Sequence, residues 1–361
     1  MDAPLQVHRD ACLNRRHRDS HCELCLPCPV HAIRLNNGLP ELDAPRCVEC
    51  GLCISICPTD VYRSTRMSDP AVIELGKRWD QVEFACQRRA DVETTRTPAQ
   101  GLARLPCLAR LSPELLVALA AEHAQVWLDD SLCGACPIGA AHASIIRTVH
   151  AAQELLGAWT SAGKLHLHTE SEGKLSDLPH PFPNERHTGE PLSRRAFLSL
   201  LTLNVGRAAA SVATGALPID SLPEPDTQTR VSTLQRAVTR LGAPQADAQG
   251  TRLVTLEIDD RCTACGLCAK ICPTSAIEFK TQGDHFALAF RPAQCLGLEC
   301  RLCDRICAPE AITLLPGVRR EALSVGHREA VHEGALAICV KCHLPFAANG
   351  ADTLCAICRG A

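Results

Sequence analysis

Twenty-four cysteines in a chain of 361 residues limit what this sequence can fold into more than any other feature. They are not scattered, but fall mostly two or three residues apart in short runs. Disulfide-rich exported domains are usually much shorter and begin as precursors with an apolar leader. This chain begins MDAPLQVHRDACLNRRHRD, which is polar and charged. Close-spaced cysteines in a reducing compartment bind metal or do redox chemistry, so a cytoplasmic location is expected. Aromatic residues are only 3% of the chain. Small cysteine-dense modules can use a metal centre in place of a large aromatic core, because metal binding is coupled to folding. The formal net charge of −3 points away from nucleic acid. No charge-free apolar run is long enough for a transmembrane span.

One pattern occurs twice, at opposite ends of the chain. The clearer copy is Cys262-Thr-Ala-Cys265-Gly-Leu-Cys268-Ala-Lys-Ile-Cys272-Pro273, the spacing C-x2-C-x2-C-x3-C-P. TSAIEFKTQGDHFALAF follows as a predicted hairpin, and Cys295, Cys300, Cys303 and Cys307 form a looser run after it. The early copy has its halves reversed. Cys12, Cys22, Cys25 and Cys28 come first, VHAIRLNNGLPEL reads as strand, turn, strand, and Cys47, Cys50, Cys53 and Cys57 make the regular run. Gly51 and Gly266 lie mid-loop, where the backbone must tolerate unusual φ. The fourth cysteine of the regular run is expected to open a helix.

In these runs the chain resembles the two-cluster bacterial ferredoxin family, over roughly residues 10–65 and 255–318. The resemblance implies two dicluster modules, at 1–70 and 251–320, with crossed ligation and four [4Fe-4S] clusters. Cys28, Cys47, Cys50 and Cys53 would hold the first. Cys22, Cys25 and Cys57, with Cys12 as fourth ligand, would hold the second. Cys262, Cys265, Cys268 and Cys307 would hold the third, and Cys272, Cys295, Cys300 and Cys303 the fourth. The second set departs from the family pattern: Cys12 lies ten residues before Cys22, and Cys25 to Cys28 is one residue short. An oxidised [4Fe-4S] core with four thiolates carries roughly −2, so the loaded chain would be clearly acidic.

Residues 78–170 change character. QVEFACQ, ARLPCLARL, QVWLDDS and KLHLHTE read as strands, and SPELLVALAAEH as a helix with Ser112 at its N-cap and Pro113 next. This predicts a small α/β module. Cys133-Gly-Ala-Cys136 stands before a long apolar-periodic stretch and looks like a thioredoxin-type pair at a helix N-terminus. Cys86 and Cys107 lie at the ends of the two preceding strands, and strand C-termini of a parallel sheet share one edge. The four loosely resemble the [2Fe-2S] delta subunits of methanogen hydrogenase–heterodisulfide reductase complexes. A [2Fe-2S] cluster, a Cys133/Cys136 dithiol and structural cysteines all remain open at this point. His166 and His168 alternate with leucines, as in a half-exposed strand.

Residues 171–250 are rich in Pro and polar residues and read as a linker with helices. Within it, Ser193-Arg194-Arg195-Ala196-Phe197-Leu198 matches a twin-arginine export motif, but its internal position argues against a signal. VSTLQRAVTRLGAP reads as a short helix stopped by Gly242 and Pro244. At 330–361, Cys339, Cys342, Cys355 and Cys358 form two C-x2-C pairs resembling a zinc ribbon or a rubredoxin-like site, with zinc favoured over iron.

The expected class is therefore α+β: two ferredoxin-like modules, an α/β middle module and a C-terminal zinc-ribbon-like knuckle. No complete nucleotide or phosphate-loop fingerprint and no nucleophile elbow is present. The expected function is electron transfer without side-chain catalysis, with redox proteins or a larger oxidoreductase complex as partners. The alternative is a redox-sensing or assembly protein with structural clusters and a dithiol switch.

Overall fold

The computed structural model describes residues 5–16, 22–89, 97–168, 229–324, 326–348 and 353–359. The twin-arginine stretch Ser193–Leu198 lies outside the described residues.

The N-terminal module pairs its outer strands and encloses a hairpin. Strand β1 (Leu5–Val7) leads into a short helix α1 (Leu13–Arg16). The hairpin is β2 (Ile33–Asn36) and β3 (Leu39–Leu42), as the strand, turn, strand reading predicts. Helix α2 (Leu52–Ile56) follows, and β4 (Tyr62–Ser64) returns antiparallel to β1. Gly51 at φ +74° starts α2, and Cys57 ends it. The expectation that the fourth cysteine opens a helix is thus reversed. The helix is one short turn between Cys53 and Cys57, so it carries ligands of two different sets at its two ends.

The middle module opens with α3 (Asp69–Gly76) and builds a four-stranded parallel sheet from β5 (Gln81–Cys86), β6 (Gly101–Leu105), β7 (Gln125–Asp129) and β8 (Leu165–Leu167), in the order β6-β5-β7-β8. Helices α4 (Pro113–Glu122) and α5 (His142–Gly157) complete it. Ser112 Oγ accepts from Leu115 N at 3.2 Å, the predicted cap of α4. Phe84, Leu105, Leu115, Leu116, Leu119 and Leu128 are all fully buried between sheet and helices. His166 stacks on Trp127 at 4.2 Å between ring centres, a packing role.

The helix expected near the end of the linker is α6 (Arg230–Leu241), stopped at Gly242. It is not linker in the structural sense. Leu234, Ala237 and Val238 are buried in the middle module's core, and Trp159 Nε1 donates to Gly242 O at 2.9 Å. At about 25 cal/mol per Å² of apolar surface, such burial fixes a helix that isolated propensity would leave marginal.

The second cysteine-rich module repeats the first. Strand β9 (Val254–Ile258), helix α7 (Leu267–Ile271), the hairpin β10 (Ile277–Gln282) and β11 (His285–Phe290), helix α8 (Leu302–Ile306) and strand β12 (Ile312–Pro316) follow in order. β12 pairs antiparallel with β9. Then β13 (Glu329–Ile338) joins the free edge of β11, and β14 (Pro345–Ala347) joins β13, giving the sheet order β10-β11-β13-β14. The C-terminal cysteines therefore grow out of the second module's own sheet.

Candidate metal centres

All twenty-four cysteines lie among the described residues and none is in a disulfide. In the first set, burial and the neighbouring Cys28 raise the Cys47 thiol. Burial takes Cys50 to about 11, with Cys107, Cys28 and Cys47 adding to it. Cys28, Cys47, Cys50 and Cys53 line one apolar cavity with Leu5 and Ile33, and Cys25 of the second set reaches its wall too. In the second set, burial takes Cys22 to about 12, and Cys57, Cys12 and Cys25 all raise it further. The irregularly placed Cys12 is thus drawn in beside the other three, buried next to Leu13.

The second module gathers its thiols the same way. Burial takes Cys268 to about 12, with Cys265, Cys262 and Cys307 adding to it. Cys272, Cys295, Cys300 and Cys303 line a cavity with Ile277 and Phe290. Backbone N–H groups point at the sulfurs: Ala276 to Cys272 at 3.2 Å, Ala311 to Cys307 at 3.3 Å and Gly297 to Cys295 at 3.4 Å. Four thiols around an apolar hollow fit a group whose iron cations make deprotonation favourable. Donated N–H···S bonds are one of the levers that set such a group's potential.

The middle set converges at the sheet edge. Cys86 ends β5, Cys107 follows β6, and the Cys133–Cys136 turn follows β7. Burial takes Cys133 to about 12, and Cys107, Asp130, Cys86 and Cys136 all raise it. The turn itself corrects the sequence expectation. Cys133 and Cys136 do not sit at a helix head: α5 begins only at His142. The loop is instead pinned at its base, with Cys133 N donating to Asp130 O at 2.8 Å and His142 Nε2 donating to the fully buried Asp130 at 2.8 Å. No helix N-terminus therefore stands at Cys133, and burial raises its thiol instead of lowering it.

The C-terminal set is drawn closer. The sulfurs of Cys339, Cys342, Cys355 and Cys358 all lie within 4.8 Å of one another, and Cys342 Sγ is 3.7 Å from Cys355 Sγ. Burial acts to raise Cys339, but backbone N–H groups of Cys355, Cys342 and Lys341 outweigh it and bring the thiol down to about 6. Among the described residues this set alone has single-ion spacing. A cubane puts its own sulfides between the thiolates and spreads them apart.

Comparison with known proteins agrees with the two regular runs. Residues 40–63 and 257–278 each match the 4Fe-4S binding domain. A 60-residue stretch is 52% identical to an uncharacterized ferredoxin of Methanocaldococcus jannaschii. That match covers 16% of this chain and 38% of the relative. The chain carries two ferredoxin-like 4Fe-4S domains. They account for the regular runs and bear on neither the middle set nor the C-terminal one.

Several residues that shape these centres escape sequence reading. Arg88, two residues past Cys86, donates from Nη1 to Cys136 Sγ at 3.3 Å. Tyr62, the chain's single tyrosine, is buried beside the second set, where its hydroxyl opposes the effect of burial on Cys25. Between the 4Fe-4S domains lies a buried charge network. Glu114, at the start of α4, pairs with Arg252 before β9, and its carboxylate is 3.7 Å from Arg230 of α6. Arg230 donates to Ile54 O and Ser55 O at 2.8 Å each, inside the turn between Cys53 and Cys57. Arg252 donates to Cys295 O at 3.0 Å. Burial acts to raise the Glu114 carboxyl, but Arg252 and Arg230 outweigh it and bring it down to about 2. No spacing in the sequence signals this network, because its partners are far apart along the chain. Among the described residues no helix is long and apolar enough to cross a membrane.

Proposed function

We propose that the chain is a multi-cluster electron carrier, or the electron-transfer subunit of a larger oxidoreductase. It holds [4Fe-4S] clusters on the four ferredoxin-type sets, a [2Fe-2S] cluster on Cys86, Cys107, Cys133 and Cys136, and zinc on Cys339, Cys342, Cys355 and Cys358. The observation that carries this reading is the grouping of the thiols: the ferredoxin-type and middle sets gather cysteines from separate stretches of chain, and the four C-terminal sulfurs lie within 4.8 Å of one another. When bound, the clusters supply one-electron storage. The chain's own residues hold them by thiolate, direct N–H groups at their sulfurs and keep water away with apolar side chains.

The C-terminal site supports a single tetrahedral ion. Metal–sulfur bonds of about 2.3 Å place the sulfurs ~3.8 Å apart, close to the Cys342–Cys355 spacing. The site has no open position for catalysis. A dithiol switch at Cys133 and Cys136 finds less support, because Cys86 and Cys107 share their site and burial holds Cys133 protonated.

The test is anaerobic purification with iron, sulfide and zinc counts, joined to paramagnetic resonance of the reduced protein. About eighteen irons per chain are expected for four cubanes and a two-iron cluster, with about one zinc. About sixteen irons would remove the middle cluster. Absence of acid-labile sulfide would overturn the reading altogether. Co-purification with a flavin or molybdenum enzyme would favour a subunit over a free carrier.

A further inference from the structure

The order of the cysteine sets in space differs from their order in the chain. The middle set falls between the two modules in sequence, yet it packs at the outer side of the first. The turn after Cys107, residues Leu108–Arg110, lies against the Cys47–Cys53 loop. A Cβ at Gly51 would stand 2.8 Å from Arg110 Cβ and 2.9 Å from its Cα, so the two backbones are in direct contact. Cys50, Leu52, Leu108 and Ala109 share one apolar core, with Cys107 and Cys133 packed against it.

The next junctions are as specific. The first and second sets are joined by α2 (Leu52–Ile56), which carries Cys53 in its first turn and is capped by Cys57. The second meets the fourth across a small separate core, in which Leu13, next to Cys12, packs with Leu296, Cys300 and Leu302, and Cys22 and Ile271 close its sides. The fourth and third sets share the core of the second module, where Cys268, Cys272, Cys295, Cys303 and Cys307 come together. Beyond the third set, Ala347 N donates to Thr263 O at 3.3 Å, which seats the C-terminal strand on the Cys262 loop.

We infer that these contacts make one continuous electron path in the order middle, first, second, fourth, third, with Cys50 and Cys107 joining its outermost step. The inference rests on the clusters assigned above. One electron enters from a one-electron donor protein at one end, and one leaves to a one-electron acceptor protein at the other. Both end sets have ligand loops that reach the surface, as the first and second sets also do at Val48 and Leu26. Leu132, Gly134, Ala135 and Pro137 are exposed around Cys133 and Cys136, and Cys265 is exposed in the third set. The inner junctions are dry: Cys12, Cys53, Cys57 and Cys300 are all buried.

The test uses the full chain, purified anaerobically and reduced stepwise with dithionite, with a Cys86→Ser/Cys107→Ser double variant beside the wild type. In wild type, each reduced cluster broadens the resonance of its neighbour. The double variant should lose about two irons per chain and keep its zinc. The first set's signal should narrow, and the third and fourth signals should not change. Loss of iron with every remaining line shape unaltered would overturn the path while leaving the cluster assignments standing. Unchanged iron would overturn both. Should the double variant fail to accumulate, the wild type decides alone. Interaction broadening that grows through the titration supports the path. Five magnetically isolated signals at full reduction would sink it.

Discussion

Arg88 shows how a single side chain can govern one centre without touching the others. Its guanidinium donates to Cys136 Sγ at the exposed rim of the middle set, where it would stabilise the more negative, reduced state of the proposed cluster. Arg88→Gln removes the charge and leaves the fold's core untouched. The middle site's potential should then fall by roughly 20–40 mV, the one-electron equivalent of ~0.5–1 kcal/mol for a solvent-screened charge. A redox titration followed by paramagnetic resonance reads this, and an unchanged potential would show that the contact does not persist in solution. Glu114 acts in the opposite setting. It is fully buried and faces two arginines, so Glu114→Gln leaves two buried cations without their shared carboxylate. The expected cost is about 3–5 kcal/mol, read as earlier loss of cluster absorbance in urea. Its folded pKa of about 2 lies below the ordinary 4.5. The stabilisation is therefore complete above pH 4.5 and is lost as pH falls toward 2. The gap between wild type and variant should be full at neutral pH and close over that window.

At the level of elements, the short helix α2 and the turn after Cys107 behave as one unit. Gly51 serves both: its φ of +74° turns the chain into α2, and its missing side chain admits the Arg110 backbone. Alanine there would meet a strained backbone costing about 1–2 kcal/mol and a contact that cannot relax by rotating a side chain. Gly51→Ala should therefore lower iron content and broaden the signals of both the first and the middle sets. Gly134→Ala is the control, since a Cβ at Gly134 meets nothing within 4 Å. If both variants load iron equally, the packing of the two loops does not govern assembly. The same scale explains the reversed helix expectation. Cysteines four apart fit a single helical turn, so a thiolate at each end can face a different centre.

For the molecule as a whole, the decisive comparison is between chain order and spatial order. Local spacing carries the identity of ligands, because a loop of three cysteines two residues apart can close on a cluster wherever it stands. From that, the 4Fe-4S runs, both hairpins, the parallel middle sheet, the α4 cap and the convergence of Cys86 and Cys107 on Cys133 and Cys136 were legible. Chelation with strong zinc chelators should accordingly release the C-terminal ion while leaving the cluster absorbance intact, since that site hangs from β13 and β14 and shares no cysteine with the others; simultaneous loss of both would contradict separate sites. What spacing cannot carry is contact between modules. Arg252 reaches Glu114 across 138 positions, and Arg230 reaches Ile54 across 176. Such pairs form only once the cores have set the distance between elements, and no local pattern encodes them. The sequence by itself determined where the close-spaced cysteine runs lie, because the spacing within a run is local. Only the tertiary structure decided which set stands next to which, because that order depends on how Leu13, Gly51, Glu114 and α6 pack, and packing is read only in space.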